Sequence, residues 1–194
     1  MYRTLSHAGI VVLQLVRPVA VGQAADTPEA NQPPRIGDKA PEFQLNDLEG
    51  KSVSLANELK HGPTVVVVLR GYPGYQCPIC TKQFGELMGD AKKFADAKAT
   101  VVFVYPGPTG DLDKHAREFV GGKTFPASFR FVTDPDFKFV ERYNLRWNAP
   151  HETAYPAGFV VDKQGVIQFA KVSHSHGDRA SGRELLDALS KLSR

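Results

Sequence analysis

The sequence predicts one α/β domain, a central mixed β-sheet flanked by helices, with a β-hairpin at its N-terminal end. Three observations point to it. Thr64-Val65-Val66-Val67-Val68-Leu69 is an unbroken, largely β-branched run, the pattern of a strand covered on both faces. Downstream, short apolar runs alternate with segments whose apolar residues recur every three or four positions, which is the order of an α/β fold. The chain has 194 residues, 42% hydrophobic and 23% charged, which suits one ordinary core rather than two.

Each element follows from its local pattern. Phe43-Gln44-Leu45 and Ser52-Val53-Ser54-Leu55 flank the turn signal Asp47-Leu48-Glu49-Gly50 and predict the hairpin. After the central strand, the turn-rich Gly71-Tyr72-Pro73-Gly74-Tyr75 leads to Cys77 and Cys80. Phe84, Leu87, Met88, Ala91 and Phe94 then recur at helical spacing, which puts the cysteines at a helix N-terminus. Ala99 to Tyr105 predicts a second buried strand, Asp111 to Val120 an amphipathic helix, Phe129 to Val132 a third strand and Phe137 to Leu145 another helix. Gly158 to Asp162, the turn Lys163-Gln164-Gly165 and Val166 to Ala170 read as an antiparallel hairpin, and Ser181 to Leu192 as a closing helix.

Residues 1–25 are expected to be an export signal. Arg3 precedes an apolar stretch from Ile10 to Leu15, and small residues follow at Ala20, Gly22, Ala24 and Ala25, with Arg17-Pro18 interrupting the run. So short a run does not span a bilayer comfortably, so a membrane enters only if the segment is retained as an anchor. The expected location is the periplasm, free or anchored. Residues 26–35, rich in proline and polar groups, read as a linker into a domain at 36–194. Setting aside residues 1–25 leaves 22 basic against 21 acidic residues, which removes the electrostatic case for nucleic acid.

Cys77 and Cys80 are the only cysteines, so no disulfide framework spans the fold. At a helix N-terminus, unpaired N–H groups and the helix dipole favour an anion, lowering a thiol pKa. One thiolate can attack a disulfide or peroxide, and the other is near enough to resolve the adduct. Pro78 stiffens the first turn, where its missing N–H costs nothing. Other readings use fewer of these features. Zinc needs about four ligands and only two thiols exist. A structural disulfide across so short a loop constrains the unfolded chain little. An inert reduced pair would seldom follow a turn of Gly, Pro and Tyr.

Pro73-Gly74-Tyr75-Gln76-Cys77-Pro78-Ile79-Cys80 keeps a frame of a proline, three residues, one position, two residues and a cysteine. On these residues the chain from about Ile36 to Leu192 resembles the peroxiredoxin-like branch of the thioredoxin superfamily, the alkyl hydroperoxide reductase and thiol-specific antioxidant (redoxin) group. The resemblance implies a thioredoxin-like fold and an antioxidant thiol oxidoreductase. In the peroxiredoxin frame Cys80 is the peroxide-attacking cysteine, and Cys77 stands where the family has threonine or serine. Aligned with the thioredoxin Cys-x-x-Cys motif instead, Cys77 is the exposed nucleophile and Cys80 the resolving thiol. Tyr155-Pro156-Ala157-Gly158-Phe159 resembles the segment that holds a cis-proline facing the cysteines in thioredoxins, and peroxiredoxins place an arginine near there. Pro156 is therefore expected to be cis and to wall the site, with the family's arginine missing.

The expected function is a thiol-disulfide oxidoreductase cycling a Cys77–Cys80 disulfide and dithiol. Its substrates are disulfide-bearing proteins or peroxides, and an external thioredoxin-like protein or small thiol supplies electrons, with no bound cofactor implied. The alternatives are a thiol peroxidase led by Cys80 and a non-catalytic binding or copper-handling domain. Arg70, at the end of the central strand, is a candidate positive charge for the thiolates, and Pro73, Tyr72, Tyr75 and Gln76 are expected at the site mouth. His174 and His176 have metal-ligand types at alternating positions but read as a solvated loop. His151 is a candidate proton acceptor, with a polar loop residue as its bland reading, and Trp147 is a packing residue.

Overall fold

The structure is a computed structural model that describes residues 31–192, so the expected export signal and the first half of the linker lie outside the described residues. β1 (Gln44–Asp47) and β2 (Ser52–Ser54) form the N-terminal hairpin, and α1 (Leu55–Glu58) follows at once. The central run becomes β3 (Thr64–Val68). Next come α2 (Pro78–Gly89), α3 (Ala91–Asp96), β4 (Thr100–Gly107), α4 (Thr109–Val120) and β5 (Phe129–Pro135). The chain ends with α5 (Lys138–Arg142), β6 (Ala157–Val161), β7 (Ile167–Val172) and α6 (Gly182–Leu192).

One seven-stranded mixed sheet runs in the order β2-β1-β5-β4-β3-β6-β7. β3 pairs parallel with β4 and β4 with β5, whereas β6 meets β3 and β7 antiparallel. Every residue of β3 is buried, because alternate side chains enter two different cores. Val65, Val67 and Leu69 join Phe84 and Leu87 of α2, Phe119 of α4 and Leu185 of α6. Val66 and Val68 face Leu55 of α1 and Phe139 and Val140 of α5. Helices therefore cover both faces of a sheet whose central strands could not face water.

Local chemistry explains three departures from the sequence reading. The helix expected to run through Phe94 is broken at Asp90, whose φ of −90° and ψ of 9° leave the helical basin between α2 and α3. Leu55 leaves the hairpin because Ser54 caps α1, its hydroxyl accepting from the Asn57 N–H at 3.3 Å. α5 is shorter than Phe137 to Leu145: Phe137 sits at φ 64°, and buried Asp134 accepts from the N–H groups of Phe139 at 2.7 Å and Val140 at 3.1 Å. That carboxylate fixes where the helix starts.

Phe84, 1% exposed, is the hub of the α2 core, with its ring 4.9 Å from Phe103, 5.4 Å from Phe119 and 5.9 Å from Phe125. Phe84→Ala leaves a cavity among these rings and is expected to cost about 3–5 kcal/mol in urea denaturation, with the two-state slope unchanged.

Candidate active site

The end of β3 and the start of α2 bring the two thiols together. The chain leaves the sheet through Gly71, where φ is 74° and a Cβ would lie 1.9 Å from the Pro106 carbonyl oxygen, so only glycine passes there. Tyr72 stacks on His115 of α4 at 3.5 Å between ring centroids, and Gln76 donates to the His115 carbonyl at 2.8 Å while accepting from the Tyr105 hydroxyl at 2.9 Å. These contacts anchor the turn that delivers Cys77 to the N-cap of α2, with Pro78 at the first helical position.

Cys77 Sγ accepts from the Cys80 N–H at 3.4 Å, as a capping side chain does, and Cys80 Sγ accepts from the Arg70 N–H at 3.4 Å. Both thiols are free. Both are buried, Cys77 at 3% and Cys80 at 1% exposure, so the nucleophile expected to be exposed is covered. Pro78, Ile79 and Tyr75 form the exposed rim instead.

A charge is then supplied from an unexpected place. Arg179, in the loop before α6, donates from Nη1 to Cys80 Sγ at 3.1 Å and from Nη2 to Cys77 Sγ at 3.7 Å. Its Nη1 also reaches Gln83 Oε1 at 3.3 Å, and its Nε donates to the His176 carbonyl at 2.9 Å. The loop can sit this close because β6 has Gly158 beneath it: a Cβ there would be 2.5 Å from that of Ala180. Gln83 secures the same segment by donating to the Ala180 carbonyl at 3.0 Å.

The pair holds one negative charge on the less buried sulfur. The hydrogen bond from the Cys80 thiol brings Cys77 down to about 5, against burial, which raises it, and with help from the Cys80 N–H and the Arg179 charge. The same bond, with burial, pushes Cys80 well above the ordinary thiol range. A thiolate and a thiol within reach of each other are the two partners of disulfide chemistry.

Arg70 does something other than what its position suggested. Its backbone N–H reaches a sulfur, but its guanidinium is 1% exposed and turned to Glu152 at 2.5 Å, the Tyr75 hydroxyl at 2.6 Å and the His151 carbonyl at 2.6 Å. Tyr75, 46% exposed, thus stands at the mouth, whereas Gln76 and Tyr72 brace the turn against α4 and Pro73 sits half-buried in that turn. His151 contributes its carbonyl to Arg70 while its side chain is exposed.

The Tyr155–Pro156 peptide is trans, as is every peptide bond among the described residues, which corrects the expected cis-proline. The backbone here is already committed: Tyr155 N–H bonds the Leu145 carbonyl at 2.8 Å and the Pro156 carbonyl accepts from Ser173 at 2.8 Å, an extended path that trans proline satisfies. The arginine absent at Pro156 is matched in charge by Arg179, which sequence reasoning missed. Its only signal was adjacency to the His174–Asp178 loop. His176 is not simply solvated, since Nε2 lies 2.8 Å from Glu152 Oε1, while His174 packs on Tyr155 at 5.2 Å between centroids. Among the described residues no group of three or more His, Cys, Asp or Glu side chains is placed to hold a metal ion. Trp147 is a packing residue, stacked on Tyr155 at 4.7 Å.

Comparison with known proteins agrees with this architecture. The AhpC/TSA family model matches residues 36–170. Chloroplastic peroxiredoxin Q of Oryza sativa subsp. japonica is 32% identical over 137 residues, 69% of this chain and 57% of the relative, so the chain spans little more than half of that protein's length. A Mycobacterium tuberculosis protein described as a peroxiredoxin is 31% identical over 140 residues, 70% of this chain and 83% of the relative. The fold is shared with the crystal structure of peroxidoxin BcpB from Mycobacterium tuberculosis, at a TM-score of 0.63 and 21% identity, covering 81% of this chain and 97% of that one. With the frame from Pro73 to Cys80 standing at the end of a central strand and the start of a helix, the chain belongs to the AhpC/TSA family as a peroxiredoxin-like member of the thioredoxin superfamily.

Proposed function

We propose that the protein is a thiol-dependent oxidoreductase that reduces peroxides, and accessible disulfides, by cycling Cys77 and Cys80 between dithiol and disulfide. The observation that carries this is the pair of sulfurs at the start of α2 bridged by one guanidinium, Arg179 Nη1 at 3.1 Å and Nη2 at 3.7 Å. Cys77 thiolate attacks one peroxide oxygen. The O–O bond breaks, the distal oxygen leaves as water or alcohol after taking a proton from solvent, and Cys77 becomes a sulfenic acid. The Cys80 thiol then attacks that sulfur, expelling water as the disulfide forms, and an external dithiol returns both sulfurs to the reduced state by exchange. With Cys77 3% exposed, a small peroxide reaches the sulfur more readily than a protein disulfide does. The Arg179 guanidinium supplies preorganised positive charge where the leaving oxygen gains electrons.

A second reading has Cys80 attack and Cys77 resolve. It is favoured by the family frame and by two donors aimed at Cys80 Sγ, Arg179 at 3.1 Å and the Arg70 N–H at 3.4 Å. The thiolate on Cys77 and its lesser burial favour the first. The order of basic, apolar and small residues in 1–25 supports export to the periplasm, where the electron donor would be a thioredoxin-like protein or a small thiol, and 36–194 is the catalytic domain.

Two measurements test the chemistry. Alkylation of reduced protein by iodoacetamide should rise from pH 4 to 6 with a midpoint near 5 at Cys77 and flatten above it, since only the thiolate reacts. Arg179→Ala removes the facing charge, so the midpoint should move up by roughly 1–3 pH units. In stopped-flow with hydrogen peroxide, Cys80→Ser should still oxidise and accumulate a dimedone-trappable sulfenic acid at Cys77, while Cys77→Ser should slow by at least about 10³-fold. The reverse pattern would establish Cys80 as the attacking thiol.

A further inference from the structure

A charged chain runs behind the thiols and ends on Arg179. Buried Arg70 binds Glu152 Oε2 at 2.5 Å, Glu152 Oε1 meets His176 Nε2 at 2.8 Å, and the His176 carbonyl accepts from Arg179 Nε at 2.9 Å. Glu152 is only 10% exposed at its side chain. His176 and Arg179 both lie beyond residues 36–170, the span that the family model matches. We propose that Glu152 and His176 are positioning residues: their contact clamps the 174–179 loop to the Arg70 anchor and so holds the Arg179 guanidinium against Cys77 and Cys80.

The physical need is plain from the loop itself. Arg179 has a long, rotamer-rich side chain whose fixing costs conformational entropy, and its loop contains Gly177 in an exposed stretch. Within the loop, Ser173 Oγ caps the Ser175 carbonyl at 2.8 Å and also bonds the Gly177 carbonyl, which shapes the turn but does not tie it to the catalytic turn. Gln83 holds the Ala180 end of the loop, and the Glu152–His176 contact ties its middle to the Arg70 anchor. Glu152 keeps its charged form there: burial raises it, but the hydrogen bonds from Arg70 and His176 win and hold its carboxyl below the usual range. Facing His176 are Glu152, the Trp147 ring at 5.4 Å between centroids, and Arg179 through the backbone, while Asp178 is taken up by Lys171 at 3.0 Å. Neither Glu152 nor His176 touches a sulfur, and Arg179 is the one member of this chain whose side chain does, Arg70 reaching Cys80 only through its backbone N–H, so Glu152 and His176 act through Arg179.

The proposal rests on the reading that Arg179 stabilises the reactive thiolate. His176→Ala should therefore raise the midpoint of Cys77 alkylation and slow alkylation at pH 5 by at least about threefold, with an unchanged thermal melt. His176→Gln, which keeps a donor for Glu152, should restore most of the rate. In an Arg179→Ala background, His176→Ala should have no further effect, because the guanidinium it positions is gone. Glu152→Gln should behave like His176→Ala, but it also strips the buried Arg70 of its counter-charge and can unfold the protein, so the histidine variants decide. If Arg179→Ala moves the midpoint and His176→Ala does not, or if His176→Ala acts equally with and without Arg179, the clamp is wrong while the reading of Arg179 stands. If Arg179→Ala leaves the midpoint in place, that reading fails and the clamp falls with it.

Discussion

A single negative charge shared between two almost fully buried sulfurs is the constraint on which the rest of this site depends. An anion removed from water is tolerable only when donors replace its hydration. Here the replacements come from three separate parts of the chain: the N–H of Cys80 in the first turn of α2, the N–H of Arg70 just past β3, and the guanidinium of Arg179 before α6. Each requires the sheet. β3 must end beside α2 for Arg70 to reach Cys80, and β6 must lie next to β3 so that the segment crossing Gly158 passes over the thiols. The sandwich of two cores around the buried strands thus sets the electrostatics of the thiols as well as the stability of the domain.

Two arginines near one pair of sulfurs divide the labour. Arg70 is the deeper, and its charge is matched by Glu152, Tyr75 and a carbonyl rather than spent on the thiols. Removing one partner from so buried a pair typically costs about 3–5 kcal/mol, so Arg70 is an anchor whose loss would be felt first in folding. Arg179 is only half-buried and borrows its placement from its neighbours, its Nε held by the His176 carbonyl and its Nη1 by Gln83, which sets the guanidinium against both sulfurs.

The replacement of the family's threonine or serine by Cys77 changes the chemistry available at that position. A hydroxyl there could donate or accept a hydrogen bond but would not ionise at ordinary pH. A thiol can donate or ionise, and it stands three residues from Cys80 at the N-cap, near enough to form a disulfide within one helical turn. The two alignments that assign opposite roles to these cysteines describe the same arrangement, in which a proton shared between two sulfurs decides which of them is the nucleophile.

The order of strands and helices, the buried central strand and the cysteine pair at a helix start were all legible in the sequence, because each is written in local periods of two or 3.6 residues and in turn chemistry. The break at Asp90 and the late start of α5 at Lys138 were not, since caps and a buried carboxylate from the preceding strand set them. By itself the sequence determined that two thiols would meet at the mouth of an α/β domain. Only the tertiary structure decided which arginine faces them, that Pro156 is trans and that His176 belongs to the site. Arg179 and Cys80 are 99 residues apart, and no local pattern encodes a contact that exists only after the sheet has folded β6 against β3.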